Sequence, residues 1–384
     1  MIRKIIILDC SYFRSAFDWG KSILNHLDID VEFWSYVQWK YPDSFRSFVP
    51  RDVRPDSEVR YIPDRYAFLE ALDTLRLKNT MFILVNTTSG AVEKCLSETI
   101  VRKGGMYSYV LLYALPPSRH MMGNSLLKKL LVPFRNLFSI LKYRNLLRYP
   151  PCYCFLPTMA ARNNLPRALR FSKTSFVEIH AMDYDTLYRR NNFPMEEKHI
   201  VFIESVSNVE DLKKIGQDGC DWCGPFETYY QSINTLFAAL EKLYGKPVVI
   251  AAHPAAKLNG DEFNGRKILF GMTDLLVKQA ALVVTHQSAA ISFPVIYGKP
   301  ILACCNDFMR KHFLWDSVPY FDLLGLSYFN LSNPDWEHLP QYICCDSDQY
   351  RFFMENYIKR PGTVNLPYFE AIGSVLKNKK ERVS

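Results

Sequence analysis

The sequence predicts an α/β protein made of two successive units, each a parallel sheet with helices on both faces. Three observations carry that prediction. Short apolar runs recur from end to end of the chain, and helical patterns separate them. The connections in the first half are short, as β-α-β-α-β alternation requires. In the second half, runs such as Val248–Ala252 (VVIAA) are apolar at every position. That pattern suits a strand buried on both faces better than an alternating half-exposed one.

In the first half, Ile5–Leu8 reads as a strand ending in Asp9-Cys10-Ser11, and Ser15–Leu27 as the following helix. Val31–Tyr36 is a second strand. Tyr41–Arg65, rich in Pro, Asp and Arg without periodicity, is expected as a long loop. Asp64–Arg76 is helical, Met81–Asn86 a strand, Ala91–Lys103 a helix closed by Gly104-Gly105, and Tyr107–Leu112 a strand. Tyr153–Leu156 and Phe176–Ile179 are the next strands. Asp183 and Asp185 are expected to cap the helix that follows, and Arg189–Pro194 to be a linker.

In the second half, His199–Ile203 is a strand ending in Glu204-Ser205. Tyr229–Tyr244 is an amphipathic helix stopped by Gly245-Lys246-Pro247. Val248–Ala252, Leu282–Thr285 and Pro300–Ala303 are strands, with helix Thr273–Gln279 between the first two. A small apolar helix spans Ala289–Tyr297. A further strand is expected at Tyr342–Cys344, then helices Asp348–Lys359 and Tyr368–Lys377. The domain expectation is therefore an α/β unit over 1–190, a second over 198–360, and a terminal helix with a basic tail over 361–384.

The bulk numbers agree with a globular chain. There are 384 residues, 48% hydrophobic and 22% charged, with a formal net charge of +8 that favours an anionic partner. The ten cysteines are scattered, and one CxxC (Cys220 to Cys223) lacks the second half that a zinc site needs. No export signal is recognised: Arg3-Lys4 precede only a short apolar run before Asp9, which points to a cytoplasmic protein with reduced thiols. No run reaches the roughly 18 apolar residues of a membrane span. Neither GxGxxG nor GxxxxGK[ST] occurs, which disfavours the usual dinucleotide fold and a P-loop NTPase.

Residues 118–150 stand apart. Leucines and phenylalanines at helical spacing alternate with Lys128, Lys129, Arg135, Lys142, Arg144 and Arg148, and no acidic residue interrupts them. Such a segment suits the interface of an anionic membrane, with an ordinary packing helix as the alternative. It is too apolar for a nucleic-acid groove.

The functional expectation rests on Pro247–Cys304. Two of its strands end in polar groups, His253-Pro254 and Thr285-His286-Gln287-Ser288. In open α/β sheets ligands bind beyond the carboxyl ends of strands, and a helix start there offers N–H groups to an anion. The expected ligand is a phosphate group held by His253, with Pro254 fixing the backbone after it, Lys257 adding charge, and Thr285, Gln287, Ser288 and the N–H groups of Ala289 and Ala290 completing the cradle. Glu204 and Ser205 are possible substrate contacts. No metal or other cofactor is expected.

The HP dipeptide after a strand, followed by a Thr/Ser cluster that opens a helix running into Gly298-Lys299-Pro300, resembles the nucleotide-binding half of GT-B glycosyltransferases. Within that group it is similar to bacterial surface-polysaccharide enzymes: sialyltransferases, capsule Kdo transferases and teichoic-acid polymerases. The resemblance implies two Rossmann-like domains facing a cleft, and a nucleotide-sugar donor, CMP-linked favoured, whose phosphate meets His253 and Ser288. It implies an acceptor that is a glycan or lipid-linked glycan of capsule or O-antigen type; the basic segment 118–150 adds the expectation of a peripheral site at the inner face of the plasma membrane. A serine pair is common in these families; here Ala289 follows Ser288, so one hydroxyl stands where two are expected and the donor class stays open. An inverting transferase also needs a carboxylate to deprotonate the acceptor, from the first half: Asp9 or Asp18, with Glu93 behind them. A polyol-phosphate transferase and a non-catalytic membrane-surface binding protein are the alternatives.

Overall fold

The computed structural model describes residues 2–10, 15–43, 58–85, 90–116, 141–205, 226–253, 256, 258, 260–313 and 319–377. The chain separates into two compact units. Unit 1 comprises 1–114, 123–182 and 357–384; unit 2 comprises 115–122 and 183–356.

Unit 1 is a seven-stranded parallel sheet in the order β3-β2-β1-β4-β5-β6-β7. Its strands are β1 Lys4–Asp9, β2 Asp30–Ser35, β3 Val59–Tyr61, β4 Thr80–Val85, β5 Met106–Val110, β6 Tyr153–Leu156 and β7 Ser175–Glu178. Both faces are buried, and the pleat shows it. Ile6, Leu8, Trp34 and Phe82 enter one core cluster, while their strand neighbours Ile5, Ile7, Phe33 and Ile83 enter the other. Helices α1 (Ser15–His26), α2 (Arg65–Asp73) and α3 (Ala91–Arg102) supply the crossovers. Helix α2 starts where Asp64 accepts the N–H groups of Tyr66 and Ala67, an N-cap that satisfies two otherwise orphan donors.

Unit 2 is a second seven-stranded sheet, β10-β9-β8-β11-β12-β13, with β14 antiparallel to β12. Its strands are β8 His199–Ile203, β9 Val248–Ala252, β10 Ile268–Phe270, β11 Ala280–Thr285, β12 Ile301–Cys305, β13 Tyr328–Asn330 and β14 Ile343–Cys344. Helices α4 (Phe226–Tyr244), α5 (Thr273–Lys278) and α6 (Ser292–Tyr297) flank it. One face packs Val201, Val249, Val283 and Val277. On the other, Phe202 meets Phe237 and Phe263 at ring-centroid distances of 5.1 and 6.1 Å. Helix α6 ends at Gly298, whose φ of 60° closes it in the left-handed region that glycine adopts without strain.

Several sequence expectations change. Strand β3 lies inside the expected loop Tyr41–Arg65. The helix expected over Ala289–Tyr297 is a 3₁₀ turn, Ala289–Ile291, leading into α6. The helix expected over Asp348–Lys359 is α-helical at Ser347–Phe353 and then π-helical at Met354–Ile358. Helix α7 (Tyr368–Lys377) belongs to unit 1, where Tyr368, Phe369, Ile372 and Leu376 fill the core beside Leu24 and Ile29. A Cβ on Gly20 would come within 2.2 Å of the Phe369 ring, so α1 and α7 pack at glycine distance.

Candidate functional site: strand ends of the second unit

Strands β9, β8 and β11 are adjacent and in register: Ala251 pairs with Ile203, and Ile203 with Thr285. The strand order reverses between β8 and β11, the place where an open parallel sheet leaves a crevice for a ligand. Just beyond these ends stand His253, then Glu204-Ser205, then His286-Gln287-Ser288. The Glu204 N–H still donates to Ala251 O at 3.0 Å, so the ladder continues past the strand. Glu204 is buried, and His253 is half-buried with its carbonyl accepting the Ala256 N–H at 2.8 Å. Two hydroxyls here, Thr285 Oγ1 and Ser205 Oγ, are shielded from solvent and have no hydrogen-bond partner among the described residues. Leaving a buried hydroxyl unpaired costs about 1–3 kcal/mol.

The β11 loop is held by two side chains that sequence reasoning passed over. His286 is fully buried; its Nδ1 lies 2.6 Å from Cys304 O and its Nε2 lies 2.7 Å from the Tyr229 hydroxyl. A carbonyl only accepts, so Nδ1 carries the proton and Nε2 accepts from Tyr229. Burial pushes the imidazole down to about 4, which keeps it neutral. Tyr320, also buried, accepts the Ser288 N–H at 2.9 Å and donates to Ser288 O at 3.3 Å. His286, a histidine inside a polar strand-end run, was the available signal; Tyr229 and Tyr320 are too distant in sequence to have been found.

The cradle differs in detail from the expected one. Ser288 Oγ accepts the Ala290 N–H at 3.1 Å, so that N–H is already occupied as part of the cap. The serine keeps its own O–H to donate. Gln287 and Ala289 are exposed. Pro254 and Lys257 lie outside the described residues.

A second correction concerns Asp183 and Asp185. Asp185 sits at the cap position of Thr186–Arg189 without a side-chain cap bond. Asp183 instead accepts a hydrogen bond from the Ser292 hydroxyl at the start of α6. It retains some accessible surface, yet enough protein surrounds its carboxyl for desolvation to raise it to about 6. Beside it, Arg190 grips Asp274 through Nε and Nη2 at 2.9 and 3.2 Å, and the Thr186 and Tyr297 hydroxyls are 2.5 Å apart.

Unit 1 has its own polar cluster at the ends of β1 and β2. Asp9 is buried, and its Oδ1 accepts the Cys10 N–H at 2.7 Å. Glu93, in the first turn of α3, is wholly buried; its Oε1 accepts from Lys40 Nζ at 2.6 Å and from the Tyr36 hydroxyl at 3.1 Å. Gly90 leaves room for that carboxylate, since a Cβ there would overlap Oε2. Burial, reinforced by Asp9, pushes the Cys10 thiol up to about 11. Asp18 lies on α1, and its side chain is outside the description. Of the basic segment, Lys142, Arg144 and Arg148 are exposed, while Lys128, Lys129 and Arg135 lie outside the described residues, as do Cys220 and Cys223.

Two helix-flanked parallel sheets, each reversing its strand order beside its first strand, define an α/β protein of two Rossmann-like domains, the GT-B fold. No protein-family model matches the sequence, and no curated protein does. Among solved structures, the chain is similar to a variant of the wall teichoic acid polymerase TagF, with TM-score 0.55, 14% identity, and coverage of 98% of this chain and 89% of that one. A TagF structure soaked with CDPG matches with TM-score 0.52 and 13% identity over 98% and 88%. A putative UDP-N-acetylglucosamine 2-epimerase from Listeria monocytogenes matches with TM-score 0.51 and 11% identity over 100% and 98%. A polymerase and an epimerase share this architecture, so the likeness defines the fold and leaves the reaction to the site residues.

Proposed function

We propose that the chain is a glycosyltransferase that moves a sugar from a nucleotide-sugar donor, CMP-linked favoured, to a lipid-linked or growing surface polysaccharide such as capsule or O-antigen. It works at the inner face of the plasma membrane. The observation that supports this reading is the placement of His253, Ser205, Thr285 and Ser288 at three adjacent parallel-strand ends, where two buried hydroxyls have no partner among the described residues. His253 donates to a donor phosphate oxygen, and when protonated it offsets charge on the departing nucleotide. Ser288 donates its hydroxyl to the same phosphate. In an inverting reaction Asp9 or Asp18 takes the proton of the acceptor hydroxyl. The test is hydrolysis and transfer across CMP-, UDP-, GDP- and dTDP-linked sugars. A His253→Ala variant that retains both nucleotide binding and turnover would sink the proposal.

The fold likeness to TagF favours one second reading, a polyol-phosphate transferase. That enzyme would leave a phosphodiester in its product, which a phosphorus NMR spectrum distinguishes from a glycosidic bond. Nucleotide binding without turnover of any donor would point to the non-catalytic membrane-surface protein instead.

A further inference from the structure

Residues 141–149 are pinned from below and open above. Asn145 and Leu146 are buried, Leu146 in the unit 1 core, and the Tyr107 hydroxyl donates to Tyr149 O at 2.6 Å. On the outside, Leu141 is 57% and Leu147 39% exposed, among the exposed cations Lys142, Arg144 and Arg148. No carboxylate among the described residues pairs with these three cations. Two tyrosines accompany them, with Lys142 over the Tyr143 ring and Arg148 over the Tyr149 ring at 5.4 Å each.

This strip is continuous with a groove. Arg102 of α3 donates to the Tyr149 hydroxyl at 3.0 Å and stacks on the ring at 5.6 Å. It also lines an open cavity of about 310 Å³ together with Arg65, Lys94 and Glu98. Glu98 is taken by Arg102 at 2.6 Å, which leaves Arg65 and Lys94 as exposed cations with no acidic partner among the described residues.

From this arrangement we infer that the face of unit 1 formed by residues 141–149 and the α3 groove docks on an anionic lipid bilayer, with the groove cations taking a headgroup phosphate. Exposed leucines, tyrosines, and Lys/Arg with no acidic partner among the described residues are what such a surface binds: the apolar side chains enter the acyl boundary and the cations stay at headgroup level. A nucleic-acid backbone would meet the cations but leave the leucines in water. The inference deepens the membrane partner of the proposed function and is independent of its nucleotide chemistry.

The test uses the full chain and vesicles of phosphatidylcholine with about 30 mol% phosphatidylglycerol, against phosphatidylcholine alone. Binding is expected to the anionic vesicles only and to weaken with salt. Each cation near such a surface contributes roughly a factor of five, so Lys142→Gln, Arg144→Gln and Arg148→Gln together should weaken binding on the order of a hundredfold. Arg65→Gln with Lys94→Gln should weaken it about twentyfold on the same basis, and Leu141→Ser with Leu147→Ser should also lower it. Equal binding to neutral vesicles, or wild-type binding by the triple variant, overturns the inference. All these residues are exposed, so an unchanged thermal midpoint checks folding, and the salt titration of the unmodified chain tests the inference without any variant. Donor hydrolysis in the absence of vesicles separates the two failures: it is expected to persist in every variant of this face.

Discussion

The His286 imidazole and the Tyr229 hydroxyl lie 2.7 Å apart in the core of unit 2, joining the β11 loop to helix α4. Because Nδ1 is committed to Cys304 O, the ring is fixed as one neutral tautomer, and the end of β11 at Thr285 and the loop bearing Ser288 hang from it. The imidazole is held at about 4, below its ordinary 6.5. Its contribution to stability is therefore complete above pH 6.5 and is lost as pH falls toward 4, where the unfolded chain binds a proton that the folded one refuses. The loss should be on the order of 3 kcal/mol at full extent. Denaturant melts of wild type and His286→Asn across pH 7 to 4 should show a shallower decline for the variant; parallel curves would contradict it.

Asp183 acts in the opposite sense. Its carboxyl is raised to about 6 from 3.8 by desolvation, against the pull of the Ser292 hydroxyl and Arg189 and with Asp274 adding repulsion. Its favourable state is the protonated one, present in full below pH 3.8 and lost as pH rises through about 6. Asp183→Asn keeps an acceptor for Ser292 and removes the charge. Its thermal midpoint relative to wild type should be higher at pH 8 than at pH 4.5, as differential scanning calorimetry would record.

The unpartnered hydroxyls separate stability from binding. Replacing Thr285 by Val and Ser205 by Ala removes two buried polar groups that no described residue satisfies, so the fold should be unchanged or about 1 kcal/mol more stable. Under the proposed function the same pair should weaken nucleotide binding about thirtyfold by calorimetry, two lost hydrogen bonds at about 1 kcal/mol each. Unaltered binding with a more stable fold would make these hydroxyls bystanders.

Lys40, 20% exposed, pairs with the wholly buried Glu93, so removing the lysine alone should cost more than removing both. Lys40→Met alone leaves the Glu93 carboxylate with the Tyr36 hydroxyl but no cation and should destabilise by about 1.5–3 kcal/mol, whereas Lys40→Met with Glu93→Leu should recover much of that. A double-mutant cycle from urea melts measures the difference.

What the sequence revealed follows from how local each signal is. Strands β8 and β9 are uniformly apolar runs with clear ends, and their expected bounds match the observed ones. Strands β3, β10 and β13 span three residues each at sheet edges, too short for any periodicity to register. The strand-end residues His253, Glu204, Ser205, Thr285 and Ser288 were readable because polar groups at the close of apolar runs are a local pattern. Pairings between distant segments were not. The Ser292 partner of Asp183 is 109 residues away, and Glu93 meets Tyr36 and Lys40 across 57 and 53 residues. Such pairings exist only once the sheets are assembled.

Helix α7 returns to α1, with Phe369 seated over Gly20 and Leu24 beside Gly373. During synthesis, then, the first unit stays incomplete until residues 368–377 have left the ribosome, although its leading strands emerge earliest. The second unit, whose sheet is finished by residue 344, can close before the first. The last element of the first unit's core thus follows every element of the second unit along the chain. Truncation after Asn356 should accordingly spare the second unit and leave the first aggregation-prone, with a bared core face where α7 belongs.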